Sequence, residues 1–269
     1  DVIGVVGASG NVGRLAALRL TGKGAAKVRA IVRSPERARS FLSDAAPQME
    51  IVQADARDPE SLRSALAGCS GLVVCTGTSA FPTLSWRNGN TPKQVDAIGV
   101  QNILSVWKEV AGVPTKRAVL MSSIGVERRS GFPFFILNAA GVLDAKAEGE
   151  AALREACSSW LGSGVIVRPG QLIGGPYDNR YYLGTIVELD RPASALFSPD
   201  DPPRKKVDMA TGDTLLGDTI RSTVAEVLVA SLLSEDIGQG VSDISVVNLE
   251  GPETSEEMVY SKLRELHGE

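Results

Sequence analysis

Three glycines near the start of the chain have the spacing of a phosphate-binding turn. An apolar run at residues 2–6 leads into Gly7, Gly10 and Gly13, and a helical pattern of leucines follows. The first glycine of such a turn allows a sharp bend, the second lets a pyrophosphate approach the backbone, and the third lets the helix pack closely on the strand. The spacing is a variant of the dinucleotide fingerprint, and a glycine-rich turn without a ligand is the alternative. The contacts predicted for a dinucleotide here are Gly7, Ala8, Ser9, Gly10, Asn11 and Val12.

A basic cluster follows the second predicted strand, at residues 28–32. Arg33 comes directly after this strand, with Ser34 and Arg37 close behind. The tip of this strand faces the adenosine ribose in dinucleotide-binding folds, where an NAD site places an acidic residue. A guanidinium pairs with phosphate, so these residues predict NADP(H), with its 2′-phosphate, as the cofactor. The alternative is a solvated basic start of the next helix.

The ends of the following strands supply the remaining candidate contacts. Asp55 follows the strand at 49–53 and could accept from the adenine amino group or cap the next helix, although Asp58 is better placed as the cap. Gly77 follows the strand at 71–75 and lets the backbone lie beside a cofactor. The other contacts predicted at strand ends are Ala56, Cys75, Thr76, Ser122, Pro169 and Gly170.

The elements that must position these residues alternate between strand and helix along the chain. That alternation predicts an α/β fold with a doubly wound parallel sheet, a Rossmann fold, with strand order 3-2-1-4-5-6. The ligand crevice is then expected between strands one and four. We expect one domain over residues 1–269, with an irregular pocket-side region at 171–217 and a closing helix–strand–helix at 218–269. Further helices are expected at 91–110 and 138–156, and the loop at 79–90 either covers the pocket or packs locally.

Composition and charge exclude several classes of function. The net charge of −4 provides no basic surplus for nucleic acid, and no apolar run reaches the ~18 residues that span a bilayer. Cys69, Cys75 and Cys157 lack zinc-ligand spacing and are predicted to be reduced, buried thiols. His267 is the only histidine and is predicted to be solvent-exposed, which excludes Ser-His-Asp and multi-histidine metal sites. No metal is therefore expected.

With these motifs in place, the chain resembles the atypical short-chain dehydrogenase/reductase family of NAD(P)H-binding proteins. The resemblance rests on residues 7–13, 32–34, 122–125 and 167–170, together with Lys146. The apolar run 131–138 and the Gly-Val-Leu at 141–143 narrow it to the plant and algal plastid branch, which includes a dehydrogenase-like subunit of the chloroplast import (Tic) machinery. This branch implies a location in the chloroplast stroma; without it, a cytoplasmic one would be expected.

The resemblance also implies catalytic positions. In catalytic members, a Tyr-x-x-x-Lys pair transfers the proton and binds the nicotinamide ribose, and a serine after the fifth strand holds the substrate carbonyl. Lys146 fills the lysine position, and Ser123 or its neighbour Ser122 fills the serine position. The tyrosine position holds Val142, which cannot transfer a proton.

Two functions therefore compete. The first is an NADP(H)-binding subunit with a structural, assembly or redox-sensing role. The alternative is an NADPH-dependent oxidoreductase whose proton comes from another group, such as Tyr177, Tyr181 or Tyr182, which could equally pack the irregular region. The apolar run that begins at Phe132 and ends at Leu137 either contacts a protein partner or a membrane surface, or packs over the protein's own core.

Overall fold

The computed structural model describes residues 1–24, 26–42, 48–78, 86, 88–174 and 205–267. Within these residues, an eight-stranded sheet has the order β3-β2-β1-β4-β5-β6-β10-β8, and β7 and β9 form a separate pair. The strands are β1 (Val2–Val6), β2 (Lys27–Val32), β3 (Met49–Gln53), β4 (Gly71–Val74), β5 (Arg117–Met121), β6 (Ser163–Pro169), β7 (Gln171–Ile173), β8 (Lys206–Thr211), β9 (Asp218–Ile220) and β10 (Gly240–Leu249).

Helices cover both faces of the sheet. They are α1 (Asn11–Lys23), α2 (Pro35–Leu42), α3 (Pro59–Leu66), a π-helix (Lys93–Ile98) that continues into α4 (Gly99–Val110), α5 (Phe134–Leu137), α6 (Val142–Ser159), α7 (Arg221–Leu233) and α8 (Glu256–His267). Residues of α1, α2, α7 and α8 form one core cluster with the sheet, and residues of α3, α4 and α6 form another. Among the described residues, no helix has the length and apolar character to span a membrane.

The predicted strand order 3-2-1-4-5-6 is confirmed, and these strands pair in parallel. The sheet continues through β10, which is parallel to β6, and ends in β8, which is antiparallel to β10. The sheet is therefore mostly rather than wholly parallel. Within the region 171–217, which was predicted to be irregular, the described residues include β7 and β8. β8 was missed because an edge strand buries only alternate residues, here Val207 and Met209.

Side-chain oxygens accept N–H groups at two of the helix starts. Asp58 caps α3 by accepting the N–H of Glu60 at 3.1 Å, as expected. The helix predicted from residue 138 begins only at Val142. The reason is that the N-cap position is held by Gly141, whose left-handed backbone (φ +73°) is not helical, while the side-chain oxygen of Asn138 outside the helix accepts the N–H groups of Leu143 and Asp144 at 2.9 and 3.1 Å.

The three thiols are free, and the histidine contacts two neighbouring polar groups. Cys69 and Cys75 are buried free cysteines, and Cys157 is half-buried. Burial raises the pKa of Cys75 to about 12 and that of Cys157 to about 11, so both are protonated at neutral pH. His267 is half-buried rather than exposed, because its ring nitrogens contact the Leu263 carbonyl oxygen at 2.6 Å and the Ser242 hydroxyl at 2.8 Å.

A buried arginine fastens the end of α7 to the sheet. Arg117, the first residue of β5, donates to the carbonyl oxygens of Ser231 (2.9 Å), Ser234 (2.6 Å) and Ile237 (2.6 Å) and to the Ser163 hydroxyl (2.9 Å). Carbonyls at the end of a helix have no partner within the helix and carry partial negative charge. Arg117 therefore satisfies the end of α7 in a place that water does not reach.

Replacing Arg117 with leucine should destabilise the protein strongly. The substitution leaves several buried carbonyl oxygens without donors, and we expect the free energy of unfolding to fall by about 3 kcal/mol or more in denaturant titration. The neighbouring Lys116 makes only an exposed ion pair with Asp1, so Lys116→Ala is the control and should change little. Equal losses in the two variants would contradict the anchoring role of Arg117.

Candidate functional site

The glycine turn directly follows β1, which has β2 on one side in the sheet and β4 on the other. The strand order reverses at this point. Gly7 has φ +82° and donates its N–H to the Ile31 carbonyl at 3.0 Å. A Cβ on Gly13 would lie 2.2 Å from the Gly7 carbonyl oxygen. Both glycines are therefore required by the fold itself, because one needs a left-handed backbone and the other needs the helix to touch the turn.

Gly10 is different, because its backbone (φ −77°, ψ 164°) suits any residue. Among the described residues, a Cβ added there would meet only the Gly7 carbonyl oxygen, at 3.2 Å. Gly10 is exposed and occupies the N-cap of α1, where it offers the first-turn amides no side-chain acceptor. Such a helix start binds anions through its N–H groups and its dipole. The turn thus has the form of a pyrophosphate cradle.

The other predicted residues of the turn differ in which of their groups a ligand could contact. The side chains of Ala8 and Val12 are buried in the core beside α1, so these residues present only backbone to a ligand. Ser9 and Asn11 are half-buried, and the Asn11 side-chain oxygen accepts from Arg14 at 3.1 Å.

At the adenosine end, Arg33, Ser34 and Arg37 are exposed at the tip of β2 and the start of α2. Arg33 donates a hydrogen bond to the Asn90 side-chain oxygen, and the Gln53 amide holds the Arg33 carbonyl at 3.2 Å. Arg33 also lies close enough to Asp55 for its charge to contribute to lowering the pKa of that carboxyl. The predicted basic tip and the predicted acidic residue thus lie together.

Asp55 has a partner that the sequence interpretation missed. Its carboxylate accepts from the Arg57 guanidinium, with Nε 3.0 Å from Oδ1 and Nη2 2.5 Å from Oδ2. Asp58 rather than Asp55 caps the helix, and Arg57 engages both Asp55 carboxylate oxygens; the contact of Asp55 with adenine stays a prediction. The available signal was the Asp-x-Arg spacing after β3. Neighbouring Ala56 is buried.

At the nicotinamide end, Lys146 forms an ion pair with Asp96 of the π-helix, at 2.8 Å. The Lys146 side chain is 12% exposed and that of Asp96 only 1%. The second Asp96 oxygen accepts from the Thr78 N–H at 3.1 Å and from the Thr78 hydroxyl at 2.7 Å. Gly77 borders the pair, since a Cβ there would lie 3.6 Å from the Lys146 ammonium. Asp96 was also missed, although an acidic residue within an apolar helix face is a signal for a buried pair.

A small cavity adjoins this pair. Its lining consists of Thr76, Asp96, Val100, Leu120, Met121, Ser122 and Lys146. The Thr76 hydroxyl oxygen is buried and has no hydrogen-bond partner among the described residues. Val142, one turn before Lys146 on α6, is buried, and Cys75 is buried at the end of β4. A ligand group at this point would meet a hydroxyl and an ammonium.

The serines after β5 are committed to other groups. The Ser122 hydroxyl donates to Glu150 at 2.6 Å, and Glu150 also accepts from the fully buried Arg168 at 2.9 and 2.6 Å. Arg168 in turn contacts Asp243 at 2.6 Å. The Ser123 hydroxyl donates to the neighbouring Ile124 carbonyl at 3.0 Å. Ser122, rather than Ser123, lies in the cavity with Lys146.

Pro169, the last residue of β6, and Gly170, which follows it, mainly contact other segments of the fold. The Pro169 carbonyl accepts from Ile124 at 3.0 Å, and the Gly170 N–H donates to the Thr219 hydroxyl at 2.8 Å. A Cβ on Gly170 would lie 2.1 Å from the Gly217 carbonyl oxygen, so this glycine is required where two chain segments cross. Tyr177, Tyr181 and Tyr182, the suggested proton donors, lie outside the described residues.

The apolar run is divided between core and surface. Phe134 is buried, whereas Phe132 is 82% exposed and Phe135, Ile136 and Leu137 are also exposed. The rings of Phe132 and Phe135 lie 6.4 Å apart. Phe134 thus packs inward, as one interpretation predicts, and for the exposed residues the contact with a protein partner or a membrane surface stays a prediction.

The sequence model of the NAD(P)H-binding family matches residues 7–235. The chain belongs to the NAD(P)H-binding family. This membership confirms the resemblance predicted from the motifs and identifies the cofactor as a nicotinamide dinucleotide. The glycine cradle at the start of α1 and the residues at the strand ends fit that cofactor.

One sequence relative and two solved structures illustrate what this chain is similar to. The chain is 30% identical over 185 residues to the protein TIC 62, chloroplastic, of Arabidopsis thaliana; the match covers 63% of the chain and 27% of that protein. Similar folds include the oxidoreductase ylbE from Lactococcus lactis (TM-score 0.65, 19% identity, 99% of both chains). They also include the NADPH-dependent quinone oxidoreductase QOR2 from Escherichia coli, solved with NADPH (TM-score 0.52, 17% identity, 93% of this chain and 69% of the other). These two solved structures thus share the fold of this chain.

Substituting Gly10 with valine should abolish nucleotide binding without unfolding the protein. The backbone at Gly10 accepts a side chain, but valine would fill the space through which the pyrophosphate approaches. We expect NADPH affinity in calorimetry to fall by more than about tenfold, a loss of over 1.4 kcal/mol. The control is Gly22→Val, at an exposed position on the same helix. An added Cβ there would meet no described atom within 4 Å outside its chain neighbours and the nearby helix backbone. Unchanged affinity in Gly10→Val would refute this placement of the pyrophosphate.

Proposed function

We propose that this protein is an NADP(H)-binding subunit with a structural, assembly or redox-sensing role, and that it lacks tyrosine-based dehydrogenase chemistry. One observation carries the proposal: the groups that carbonyl reduction would use are missing or already paired. Valine occupies the tyrosine position, the Lys146 ammonium is paired with a buried carboxylate, and the Ser122 proton is held by Glu150. Proton transfer by a positioned acid typically contributes 10²–10⁴-fold to the rate, and we infer that the described residues at these three positions do not supply it.

Cofactor binding does not need the missing acid. Nicotinamide, when bound, supplies or accepts a hydride. An ammonium has three donors, so Lys146 can hold Asp96 with one and keep others for ribose hydroxyls. Arg33 supports NADP(H) over NAD(H), because a guanidinium at the ribose favours a 2′-phosphate and provides no acceptor for a 2′-hydroxyl. The site is therefore suited to retain the nucleotide.

The exposed part of the apolar run supports the role of a subunit. Phe132, Phe135 and Ile136 present apolar area to solvent, and exposed aromatic clusters are typical of protein contact surfaces. We propose a protein partner for this surface. The relative TIC 62 is named as chloroplastic, which supports a plastid location for this protein as well.

The alternative, an NADPH-dependent oxidoreductase with another proton donor, is favoured by the Thr76 hydroxyl. This hydroxyl is buried next to Lys146 and has no partner in the described part of the chain. A buried polar atom without a partner costs free energy, which is consistent with a site completed by a ligand. A small substrate or the nicotinamide amide could supply that partner.

The proposed choice of NADP(H) predicts a selective effect of Arg33→Ala. Loss of a charge-assisted hydrogen bond to the 2′-phosphate should weaken NADPH binding by ~2 kcal/mol or more and leave NADH nearly unchanged. Dissociation constants for both nucleotides, measured by calorimetry, test this. Arg39→Ala removes an exposed arginine of the following helix, α2, and serves as the control. Equal weakening of both nucleotides would assign Arg33 a structural role instead.

The proposed lack of standard chemistry predicts slow turnover. In stopped-flow measurements with aldehydes, ketones and quinones, we expect the native protein to keep its NADPH reduced. Lys146→Ala should weaken NADPH binding through the lost ribose contact rather than abolish a fast reaction. Rapid NADPH oxidation by the native protein would favour the oxidoreductase. Tyr177, Tyr181 and Tyr182 would then be replaced with phenylalanine. If the activity persists, Thr76 becomes the candidate proton donor.

A further inference from the structure

The pair formed by Asp55 and Arg57 is more than a surface ion pair. Two guanidinium nitrogens engage the two carboxylate oxygens, and the Arg57 backbone N–H donates to the same carboxylate at 3.0 Å. Bidentate pairing fixes orientation as well as distance. The hydrogen bond with Arg57 lowers the pKa of Asp55, and the same bond raises the pKa of Arg57, so both stay charged at physiological pH. Arg57 is thus held rigidly just beyond β3.

Arg57 uses its remaining terminal nitrogen to hold residues 88–90, which we call the strap. Its Nη1 donates to the Asn88 carbonyl at 2.8 Å. Gly89 follows with φ +75°, and a Cβ there would lie 3.2 Å from the same nitrogen, so the strap backbone lies against the guanidinium. At the other end of the strap, the Asn90 side-chain oxygen accepts from Arg33. The strap therefore connects the arginine beyond β3 to the arginine at the tip of β2.

We propose that Asp55 and Arg57 form a latch that holds the strap in place, so that Asn90 orients Arg33 toward the cofactor's 2′-phosphate. Arg57 is then a positioning residue that determines specificity without touching the nucleotide. Arginine has five N–H donors, and the bond to Asn90 occupies one of them. An exposed arginine held in this way loses less rotamer freedom on binding than an unheld one. This inference rests on the proposed preference for NADP(H).

The test removes the latch without changing net charge. The latch variant is Asp55→Asn/Arg57→Gln, and its matched control is Arg63→Gln/Glu109→Gln, which removes an exposed ion pair between α3 and α4. Dissociation constants for NADPH and NADH are measured for the native protein, both pair variants, Arg33→Ala and the triple variant that combines Arg33→Ala with the latch variant. Circular dichroism and thermal melting confirm that each variant is folded.

We expect the latch variant to lose about tenfold in the ratio of NADPH to NADH affinity, the scale of one charge-assisted hydrogen bond. The control pair should keep the native ratio. The triple variant should show the same ratio as Arg33→Ala alone, because the latch acts through Arg33. Asn90→Ala cuts the strap's contact with Arg33 while leaving the latch intact, and it should lower the ratio to a similar extent. This variant keeps the test decisive if the latch variant does not fold.

Three results would overturn the inference. The first is an unchanged ratio in the latch variant and in Asn90→Ala, while Arg33→Ala loses selectivity. The second is a further loss in the triple variant beyond that of Arg33→Ala, which would mean that Arg57 acts on the phosphate itself. The third is a native protein that binds NADPH and NADH alike, which would overturn the cofactor choice and this inference together. The first two results leave the cofactor choice standing and overturn this inference alone.

Discussion

The contact between α1 and the turn that precedes it constrains the rest of the structure. Because Gly13 has no Cβ, the helix can lie directly on the Gly7 carbonyl, where a Cβ would come within 2.2 Å. That approach fixes the direction in which α1 leaves β1 and aims its first-turn amides across the crevice. It also leaves Gly10 with space that the fold does not require. The same packing that closes the core next to β1 thus creates the anion-binding cradle.

Around this cradle, buried and half-buried carboxylates decide what the polar groups can do. Asp96 pairs with Lys146, Glu150 holds Ser122 and Arg168, and Asp55 holds Arg57. A carboxylate removed from water must be hydrogen-bonded or paired, so each one determines the orientation of its partner. The consequence at the nicotinamide end is an ammonium that is already compensated and a serine whose proton is already donated.

The two ends of the crevice are joined by a short piece of chain. Asn90 contacts Arg33 at the adenosine end, and the π-helix that soon follows carries Asp96 to Lys146 at the other end. Gly149 of α6 packs on this π-helix, since a Cβ there would lie 2.4 Å from the Asp96 carbonyl oxygen. π-helical turns are frequent at functional sites, and here the turn brings a buried acidic side chain to the cavity. The residues predicted to contact adenosine and those predicted to contact nicotinamide therefore share one structural support.

Local patterns in the sequence were sufficient to predict the order of the first six strands of the sheet. The alternation of strands and helices predicted the order 3-2-1-4-5-6, and the glycine spacing predicted the cradle, because strand length, turn chemistry and capping are encoded by neighbouring residues. Arg33 was predicted from its place directly after β2, whereas Lys146, which lies inside α6, was indicated by the family resemblance. β8 escaped prediction because an antiparallel edge strand with one exposed face has a weak pattern.

Only the tertiary structure decided what those residues contact. Asp96 lies 50 residues from Lys146, Glu150 lies 28 from Ser122, and Asn90 lies 57 from Arg33. Side chains that far apart in sequence meet only when parallel strands bring their carboxyl ends to one edge and the helices pack above it. The sequence by itself determined the family and its nicotinamide dinucleotide, and it predicted the glycine turn as the place of the phosphates. The pairing of each ammonium, guanidinium and hydroxyl around it depends on desolvation and on distances that only packing sets.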